Sequence, residues 1–399
     1  MTDAADKSTV PATAAEEEHP EARKTSEWRK ALWTMVGGRA VPDRLTAEEA
    51  QSSWQQLPDC DDAAARAALE SAAKCPRLGE AAHRARCAPD DENGEKDDDG
   101  QMMDKAEAEA LETHAAEHWD RFYAHFGDAF FKDRHYLQRE YPALFALADT
   151  PVQLPSPDAA QPPVEVLEIG CGAGNTAVPL LAATAACARP VRVHAFDFSA
   201  AAVRVLRARA DFDAARCDAF VADAAEPAQL AAHVAPRTLD FALAIFALSA
   251  LSVPRIGAAL RAVRALMRPG HGRLLLRDYG VGDLSQLRFV AKRGRCLGDS
   301  FYARGDGTRV YYFSKDALAA LAADAGWTVE ALRYDTRILR NRKRQLNMRR
   351  VWITATLLCP PDGEAPQPPT FVPDIVSGPE GAAADDDTTE GDAAATEAK

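Results

Sequence analysis

The feature that most restricts the fold of this chain is the regular alternation of strand-like and helix-like segments between residues 164 and 359. Short apolar runs such as VEVLEIG (164–170) and VRVHAFDFS (191–199) alternate with longer amphipathic runs such as NTAVPLLAATAACA (175–188). This alternation is typical of a doubly wound α/β fold, in which helices cover both faces of a mostly parallel sheet. The last two strand-like runs, WTVEALRYDTRIL (327–339) and RRVWITATLLC (349–359), predict an antiparallel hairpin at its end.

Three strongly acidic stretches lie outside this region. Residues 1–27 carry seven acids and three bases, residues 89–112 carry eleven acids and two bases, and residues 360–399 carry ten acids and one base. Segments with many charges and few aromatic side chains cannot bury enough apolar surface to fold alone. We therefore expect disordered acidic tails at 1–27 and 360–399, and an acidic linker at 89–112.

The N-terminal part between these stretches has a different composition. Residues 28–88 include several tryptophans and a capping-box pattern from Thr46 to Glu49, which predicts a helical N-terminal extension. Further on, the run AEALETHAAEHWDRFYAHF (108–126) has the pattern of one helix. The main domain is then expected to span residues 113–359.

Basic residues are concentrated late in the chain, although the net charge is −13. Residues 288–352 hold 15 lysines and arginines against six acids. A local positive field of this kind favours a polyanionic partner, with a solvated surface loop as the alternative.

The expected compartment follows from what the sequence lacks. The acidic N-terminus resembles neither a secretory signal nor a transit peptide, and no apolar run reaches 18 residues. The eight cysteines form no CxxC pair, so we expect reduced thiols and no metal site. These features predict a cytoplasmic protein that is also compatible with the nucleus.

The glycine-rich run LEIGCGAGN (167–175) follows the first strand and opens a helix, which makes it the first candidate ligand site. Gly174 is followed by Asn175 and Thr176, so the Lys-Ser/Thr pair of a phosphate-binding P-loop is missing. The order of its glycines is GxGxG, whereas the dinucleotide fingerprint is GxGxxG.

Two later strands end in acids that suit an adenosine. Asp197 ends the second strand, where a carboxylate accepts from ribose hydroxyls, and Asp223 ends the third, where it accepts from an adenine amino group. A glycine turn without phosphate-binding residues, followed by two such acids, favours S-adenosylmethionine. A nicotinamide dinucleotide and a βαβ turn with solvated carboxylates remain the alternatives.

Several narrower motifs give the chain a recognisable family resemblance. Besides the glycine turn they are HWDRFY (118–123), FFKDRHY (130–136), FDFS (196–199), IFALSAL (245–251), LLLRDYG (274–280), LRF (287–289) and FYARGDGTRVYYF (301–313). Over roughly residues 116 to 358 the chain resembles the tRNA 3-methylcytidine methyltransferases.

The resemblance implies a class I, Rossmann-like methyltransferase fold with a seven-stranded sheet. It also implies methyl transfer from S-adenosylmethionine to N3 of cytidine 32 in the tRNA anticodon loop. Position 224 is alanine where the family pattern leads us to expect leucine. The cofactor contacts expected from the family positions and from the glycine turn are Trp119, Tyr123, Gly170, Gly172, Gly174, Asp197, Asp223, Ala224 and Ile245.

Cytosine N3 carries a lone pair at neutral pH, so positioning is expected to supply most of the catalysis. Asp278 in LLLRDYG is the candidate to accept from the cytosine amino group and to offset the charge of the product, and an ion pair with a neighbouring arginine is the alternative. Phe130, Phe131 and Tyr279 are candidates to hold an unstacked base, with core packing as the alternative for the phenylalanines.

The substrate implied by the resemblance is tRNA, and family members often work with a partner such as an aminoacyl-tRNA synthetase, for example the seryl enzyme, or an adaptor protein. The alternative functions are methyl transfer to a protein or small molecule, and an RNA-binding module that uses its cofactor only structurally. The expected phosphate contacts are Lys132, Arg134, His135, Arg304, Arg309, Arg340, Arg342, Lys343, Arg344, Arg349 and Arg350.

Overall fold

The computed structural model of the protein describes residues 54–57, 102–156, 159–290, 294–341 and 346–367, and side chains are not described for 54–57 and 340–347. The predictions for 1–27, for nearly all of 28–88 and for the tail beyond residue 367 therefore lie outside the described residues. The basic residues Arg340, Arg342, Lys343 and Arg344 lie outside them as well, at least in their side chains.

Ten α-helices are described. Their bounds are α1 Lys105–Thr113, α2 Ala115–Phe126, α3 Leu137–Glu140, α4 Pro142–Asp149, α5 Ala177–Ala183, α6 Ala200–Ala208, α7 Pro227–Ala231, α8 Val253–Arg264, α9 Leu284–Val290 and α10 Lys315–Asp324.

Eleven strands are described in two sheets. Their bounds are β1 Trp54–Leu57, β2 Val164–Ile169, β3 Val191–Asp197, β4 Cys217–Val221, β5 Phe241–Ile245, β6 Arg273–Tyr279, β7 Cys296–Gly298, β8 Phe301–Ala303, β9 Arg309–Tyr311, β10 Thr328–Asn341 and β11 Leu346–Leu358.

The large sheet has the order β1-β10-β11-β6-β5-β2-β3-β4. Strands β6, β5, β2, β3 and β4 are parallel, whereas β11 runs antiparallel to both β6 and β10. The strand order reverses next to β2, and in open α/β sheets ligands bind at the carboxyl ends of strands beside such a reversal. The prediction of a doubly wound, mostly parallel sheet that ends in an antiparallel hairpin is confirmed.

Both faces of this sheet are buried, which explains the nearly continuous apolar runs of its strands. On β2, Val164 and Val166 pack into the core on one face, whereas Leu167 and Ile169 pack into the core on the other. Because side chains alternate along a strand, these four residues fix the register of β2 and place the glycine turn at its carboxyl end.

The N-terminal segment differs from the prediction in two respects. Residues 105–112, predicted as part of an acidic linker, form most of α1, which Asp104 caps by accepting from the N–H groups of Ala106 and Glu107. The predicted single helix is divided at His114 into α1 and α2.

The helical prediction for 28–88 is wrong at residues 54–57. There the backbone forms the edge strand β1, antiparallel to β10. The described sheet therefore has eight strands in place of the expected seven. Trp54 and Gln55 belong to a short segment with no clear period, so its pairing with a distant strand is a tertiary effect that local pattern does not reveal.

Candidate active site

The glycine turn, Gly170 to Gly174, is built from three left-handed residues. Gly170, Gly172 and Gly174 have φ angles of +65°, +51° and +85°. A Cβ at Gly170 would lie 2.8 Å from Cβ of Ala247, and one at Gly174 would lie 2.3 Å from Cδ1 of Leu206. The turn therefore needs glycine both for its backbone conformation and for the close approach of the neighbouring elements.

Asp197 is fixed at the end of β3 by the glycine turn itself. Its Oδ2 accepts from the backbone N–H of Gly172 at 2.9 Å and its Oδ1 accepts from that of Ser199 at 2.9 Å. Burial raises the pKa of Asp197 to about 6, against these backbone hydrogen bonds. Each carboxylate oxygen keeps lone-pair capacity, so the residue remains able to accept from ribose hydroxyls.

Helix α2 packs against the glycine turn through Tyr123. A Cβ at Gly172 would lie 2.3 Å from the hydroxyl oxygen of Tyr123, and the Trp119 ring stacks on that of Tyr123 with centroids 6.0 Å apart. Asp120 on the same helix accepts from the Ser199 hydroxyl at 2.7 Å and from the Ala201 N–H at 2.9 Å. These bonds attach α2 to the first turn of α6.

Asp223 follows β4, the strand that pairs with β3. Its carboxylate is paired with Arg255, which also lies 3.6 Å from Glu112 of α1. Sequence analysis missed Arg255 and Glu112, because neither belongs to a motif with a regular spacing from the strand-end acids. The Asp223 side chain is thus already paired with an arginine. Its role toward a ligand stays a prediction.

The turn, the strand ends and α2 together form what we call the glycine-turn cleft. It contains six of the nine predicted cofactor residues: Trp119, Tyr123, Gly170, Asp197, Asp223 and Ala224. Gly172, Gly174 and Ile245 do not line it. Gly172 and Gly174 allow Tyr123 and Leu206 to approach the turn closely, and Ile245 is buried at the end of β5. The remaining lining residues are Ile169, Phe196, Phe198, Ala222, Phe246, Ala247, Ala250 and Leu251.

A buried acid and a buried arginine lie behind the cleft. Glu168 is 3% exposed, its Oε2 has no hydrogen-bond partner, and burial raises its pKa to about 7 although Arg134 opposes the shift. Arg134 donates to the Thr176 hydroxyl at 2.8 Å and lies over the Phe246 ring. A carboxylate with a vacant acceptor position next to a glycine turn suits a ligand that carries a positive charge.

A second opening, which we call the aromatic cavity, adjoins the cleft. The three aromatic side chains predicted to hold a base, Phe130, Phe131 and Tyr279, all line it. The two phenylalanines also pack on Phe122, so they contribute to the core and to the cavity wall together. The other lining residues are Trp119, Phe122, Phe246, Ser249, Ala250, Arg304, Asp306 and Thr308.

Phe246 and Phe122 are the aromatic residues of this cavity that sequence analysis missed, and Phe246 also lines the glycine-turn cleft. It follows β5 with a φ of +55°, an unusual conformation for a bulky side chain, and its ring lies 5.2 Å from that of Tyr279. Trp119, Phe246 and Ala250 line both the aromatic cavity and the glycine-turn cleft. The two openings therefore meet at these three residues.

Asp278 lies behind the wall of the aromatic cavity. Its side chain is fully buried and does not line the aromatic cavity, and its Oδ2 and Oδ1 accept from the backbone N–H groups of Ser249 and Tyr279, both at 2.9 Å. Burial raises its pKa to about 6. In this position it fixes two residues of the cavity wall, and its role toward a base stays a prediction.

Four of the predicted phosphate contacts are buried. Arg134 lies beneath the cleft, Arg309 pairs with Glu112, Arg350 donates to Asp283 at 2.9 Å, and Arg349 is 3% exposed. A count of basic residues does not distinguish arginines that neutralise buried acids from arginines on the surface.

Three other predicted phosphate contacts remain accessible. Lys132 and His135 are exposed. Arg304 is half-buried in the aromatic cavity, with its guanidinium carbon 5.7 Å from the centroid of the Tyr279 ring. The prediction of phosphate contacts at the surface thus rests on Lys132 and His135 and on the segment 340–344, whose side chains are not described.

Within the described ranges, no cluster of three or more His, Cys, Asp or Glu side chains is arranged to bind a metal ion. The described helices also include none with the length and apolar character needed to cross a bilayer.

Comparison with known proteins gives consistent matches. Residues 117–332 match a family model described as a methyltransferase domain. The chain is 40% identical over 251 residues to the tRNA N(3)-methylcytidine methyltransferase Mettl2 of Drosophila melanogaster, an overlap of 63% of this chain and 73% of the fly protein. It is 38% identical over 246 residues to the tRNA(Thr) (cytosine(32)-N(3))-methyltransferase of Saccharomyces cerevisiae, covering 61% of this chain and 37% of the yeast protein.

One relative carries a different name. A Dictyostelium discoideum protein named O-methyltransferase 3 is 40% identical over 200 residues, which is 50% of this chain and 44% of that protein.

Proposed function

The chain belongs to the family of tRNA N(3)-cytidine methyltransferases, and on that premise we propose that it methylates N3 of a cytidine in tRNA, with S-adenosylmethionine as methyl donor. The proposed target is cytidine 32 of the anticodon loop, the position contained in the name of the yeast relative.

The observation that carries this proposal is the junction between the two openings. Trp119, Phe246 and Ala250 line both the glycine-turn cleft and the aromatic cavity. A methyl donor in the cleft and a planar base in the cavity would therefore meet without any intervening layer of protein. Such contact at a fixed angle is what a displacement reaction at a methyl group requires.

The residues of the cleft fit S-adenosylmethionine. Asp197 offers acceptor capacity for ribose hydroxyls, and the glycine turn leaves backbone close to the opening. The vacant acceptor oxygen of Glu168 lies behind the same turn and favours a cation. When bound, this cofactor supplies an electrophilic methyl group on a cationic sulfonium.

The aromatic cavity would hold the acceptor. Phe130, Phe131, Phe246 and Tyr279 offer ring faces to a base that has left its stack. Cytosine N3 is a nucleophile without deprotonation, so the cavity needs to orient the ring and exclude water. The methylated base is cationic, and aromatic faces stabilise a cation in contact with them.

Helices α1 and α2 would close both openings. Trp119 contributes to each of them, and His118 on the same helix bonds the backbone oxygen of Asp306 at 3.2 Å. Glu112 of α1 pairs with Arg309, the first residue of β9, and with Arg255 in α8. We propose that these contacts exclude water once both ligands are bound.

The anticodon arm would bind at the mouth of the aromatic cavity. Lys132 and His135 are exposed and follow the cavity residues Phe130 and Phe131 in the sequence. The 340–344 segment adds a dense group of cations where β10 leads into β11. Phosphate contacts from these residues would position the RNA, while the cavity would read the base. An aminoacyl-tRNA synthetase or an adaptor protein as additional partner remains part of the proposal.

A second candidate is methyl transfer to an oxygen atom, which the name of the Dictyostelium relative favours. An acceptor hydroxyl needs a base to remove its proton. In the aromatic cavity the carboxylate of Asp306 already accepts from Thr308 through its Oδ1, and Asp278 is fully buried. The cavity thus suits an acceptor that needs no deprotonation better.

One experiment separates these functions. Purified protein would be incubated with labelled S-adenosylmethionine and either total tRNA or a protein extract, and the labelled tRNA would be digested to nucleosides. The proposal expects 3-methylcytidine as the labelled product. Label confined to protein, or to a 2′-O-methylated nucleoside, would favour the alternatives.

A further inference from the structure

Ser249 is a buried hydroxyl in the wall of the aromatic cavity. It lies in the 3₁₀ turn Leu248–Ala250 after β5 and is 3% exposed. Its backbone N–H donates to Oδ2 of Asp278 at 2.9 Å, and its hydroxyl lies near the same carboxyl group, where it opposes the rise that burial causes in the pKa of Asp278. Ser249 therefore joins a fully buried carboxylate to the cavity.

The expected orientation of the Ser249 hydroxyl follows from the chemistry of Asp278. An ionised carboxylate only accepts hydrogen bonds, and here its second oxygen already accepts from the N–H of Tyr279. We therefore expect the Ser249 proton to point toward Asp278. A hydroxyl has one proton, so the Ser249 oxygen presents only acceptor lone pairs to anything else that contacts it.

Cytosine and uracil differ at the edge that such an acceptor would read. Cytosine has an amino group at C4, which donates, whereas uracil has a carbonyl oxygen there, which accepts. An oxygen that only accepts attracts the first and repels the second. We propose that Ser249, oriented by Asp278, accepts a hydrogen bond from the exocyclic amino group of the target cytosine and thereby selects cytosine over uracil. This inference rests on the proposed function.

The other polar residues of the cavity are less suited to this role. Asp306 lies exposed at the mouth, and its Oδ1 accepts from the N–H and the hydroxyl of Thr308 at 2.9 and 2.7 Å. The Thr308 hydroxyl in turn accepts from Arg304 at 3.4 Å. Arg304 only donates. Thr308 is buried like Ser249, but its oxygen already accepts from Arg304, so Ser249 is the better suited acceptor.

Asp278 acts in this scheme as a positioning residue. In Asp278→Asn an amide nitrogen takes the place of one carboxylate oxygen, and that nitrogen donates where the native oxygen accepts. The amide NH₂ group of the new asparagine then faces either the backbone N–H of Ser249 or Tyr279, which also donates, or the Ser249 hydroxyl. In the second case the hydroxyl proton turns away from residue 278 and loses its fixed direction. The preference for an amino group should therefore fall along with the rate.

The test is a double comparison of enzyme variant and substrate. Anticodon stem-loop RNAs would carry at the target position either cytidine or the 2-pyrimidinone ribonucleoside, which lacks the amino group. Single-turnover methyl transfer and RNA affinity with S-adenosylhomocysteine would be measured for the wild type, Ser249→Ala, Ser249→Cys and Asp278→Asn. Ser314→Ala is the matched control, because this serine caps α10 and lines neither opening.

The expected result concerns the cytidine-to-pyrimidinone ratio. The wild-type ratio should exceed that of Ser249→Ala by about tenfold, the value of one hydrogen bond of ~1.4 kcal/mol. Ser249→Cys, nearly isosteric but a poor acceptor, and Asp278→Asn should shift the ratio the same way, and Ser314→Ala should keep the wild-type value.

The outcomes separate this inference from the proposed function. Wild-type protein that forms no 3-methylcytidine would end the proposed function. Wild-type protein that forms it, together with a Ser249→Ala variant that loses both substrates equally or keeps the wild-type ratio, would overturn the role of Ser249 alone. If Ser249→Ala does not fold, the same reading applies to Ser249→Cys.

Discussion

Gly172→Ala should damage the glycine-turn cleft more than any ordinary glycine substitution. The residue has a φ of +51°, and its N–H holds the carboxylate of Asp197. A Cβ there would lie 2.3 Å from the hydroxyl oxygen of Tyr123 and 3.2 Å from its Cζ. One methyl group therefore strains the backbone and also pushes a wall of the cleft.

The expected size follows from these two effects. A left-handed conformation costs an alanine about 1–2 kcal/mol relative to glycine. Inserting a methyl group into a packed site costs roughly 1–3 kcal/mol more, because Tyr123 is buried and has to move. The free energy of unfolding should therefore fall by about 2–5 kcal/mol, and S-adenosylmethionine should bind more weakly.

Denaturant unfolding and calorimetry with S-adenosylhomocysteine would measure both effects. Gly294→Ala is the matched control, since Gly294 has a φ of +65° but nothing within 4 Å of the place that an added Cβ would take, so that only the backbone cost remains. Adding Tyr123→Phe to Gly172→Ala should recover part of the steric cost. If Gly172→Ala costs no more than the control, or if the phenylalanine recovers nothing, the contact argument is wrong.

Three further predictions concern the ribose acceptor, a buried acid and the basic segment. Asp197→Ala should weaken S-adenosylmethionine binding by about 1.5–3 kcal/mol, and unchanged affinity in calorimetry would exclude Asp197 as the ribose acceptor. Burial raises the pKa of Glu168 from 4.5 to about 7, so its proton is bound more tightly in the folded state, and the free energy of unfolding should decline as pH rises through that window. Glu168→Gln should make this decline less steep, and an identical pH dependence would argue against the shift. Reversing the charges of Arg342, Lys343 and Arg344 should flatten the salt dependence of tRNA affinity by roughly two to three units of slope without changing cofactor affinity, and an unaltered slope would make the segment a solvated surface.

The parts of the fold and site that could be predicted depend on local rules. The strand-end acids Asp197 and Asp223 were found because parallel strands bring their carboxyl ends to one edge, and both line the cleft. The glycine turn was found because it follows a strand and opens a helix, and its three glycines have left-handed conformations. The cavity aromatics Phe130, Phe131 and Tyr279 came from family motifs, and they also meet in one place.

The features that local rules do not reveal depend on how distant segments pack. Asp278 also ends a strand, but its side chain turns inward to two backbone N–H groups, and no local pattern distinguishes that orientation. Arg309 and Arg350 count as surface charge in the sequence, yet each pairs with an acid from a distant segment. Phe246 lies in an apolar run, and only its backbone conformation and its place between two openings mark it as functional.

The central claim is that this chain forms 3-methylcytidine in tRNA, and the most direct test is the nucleoside composition of its product. Unmodified tRNA would be incubated with purified protein and labelled S-adenosylmethionine, digested to nucleosides and analysed by mass spectrometry, with the modified position mapped in the anticodon loop. The account predicts label in 3-methylcytidine, mapped to position 32. If the wild-type protein places the label in a different nucleoside of the tRNA, the account is contradicted.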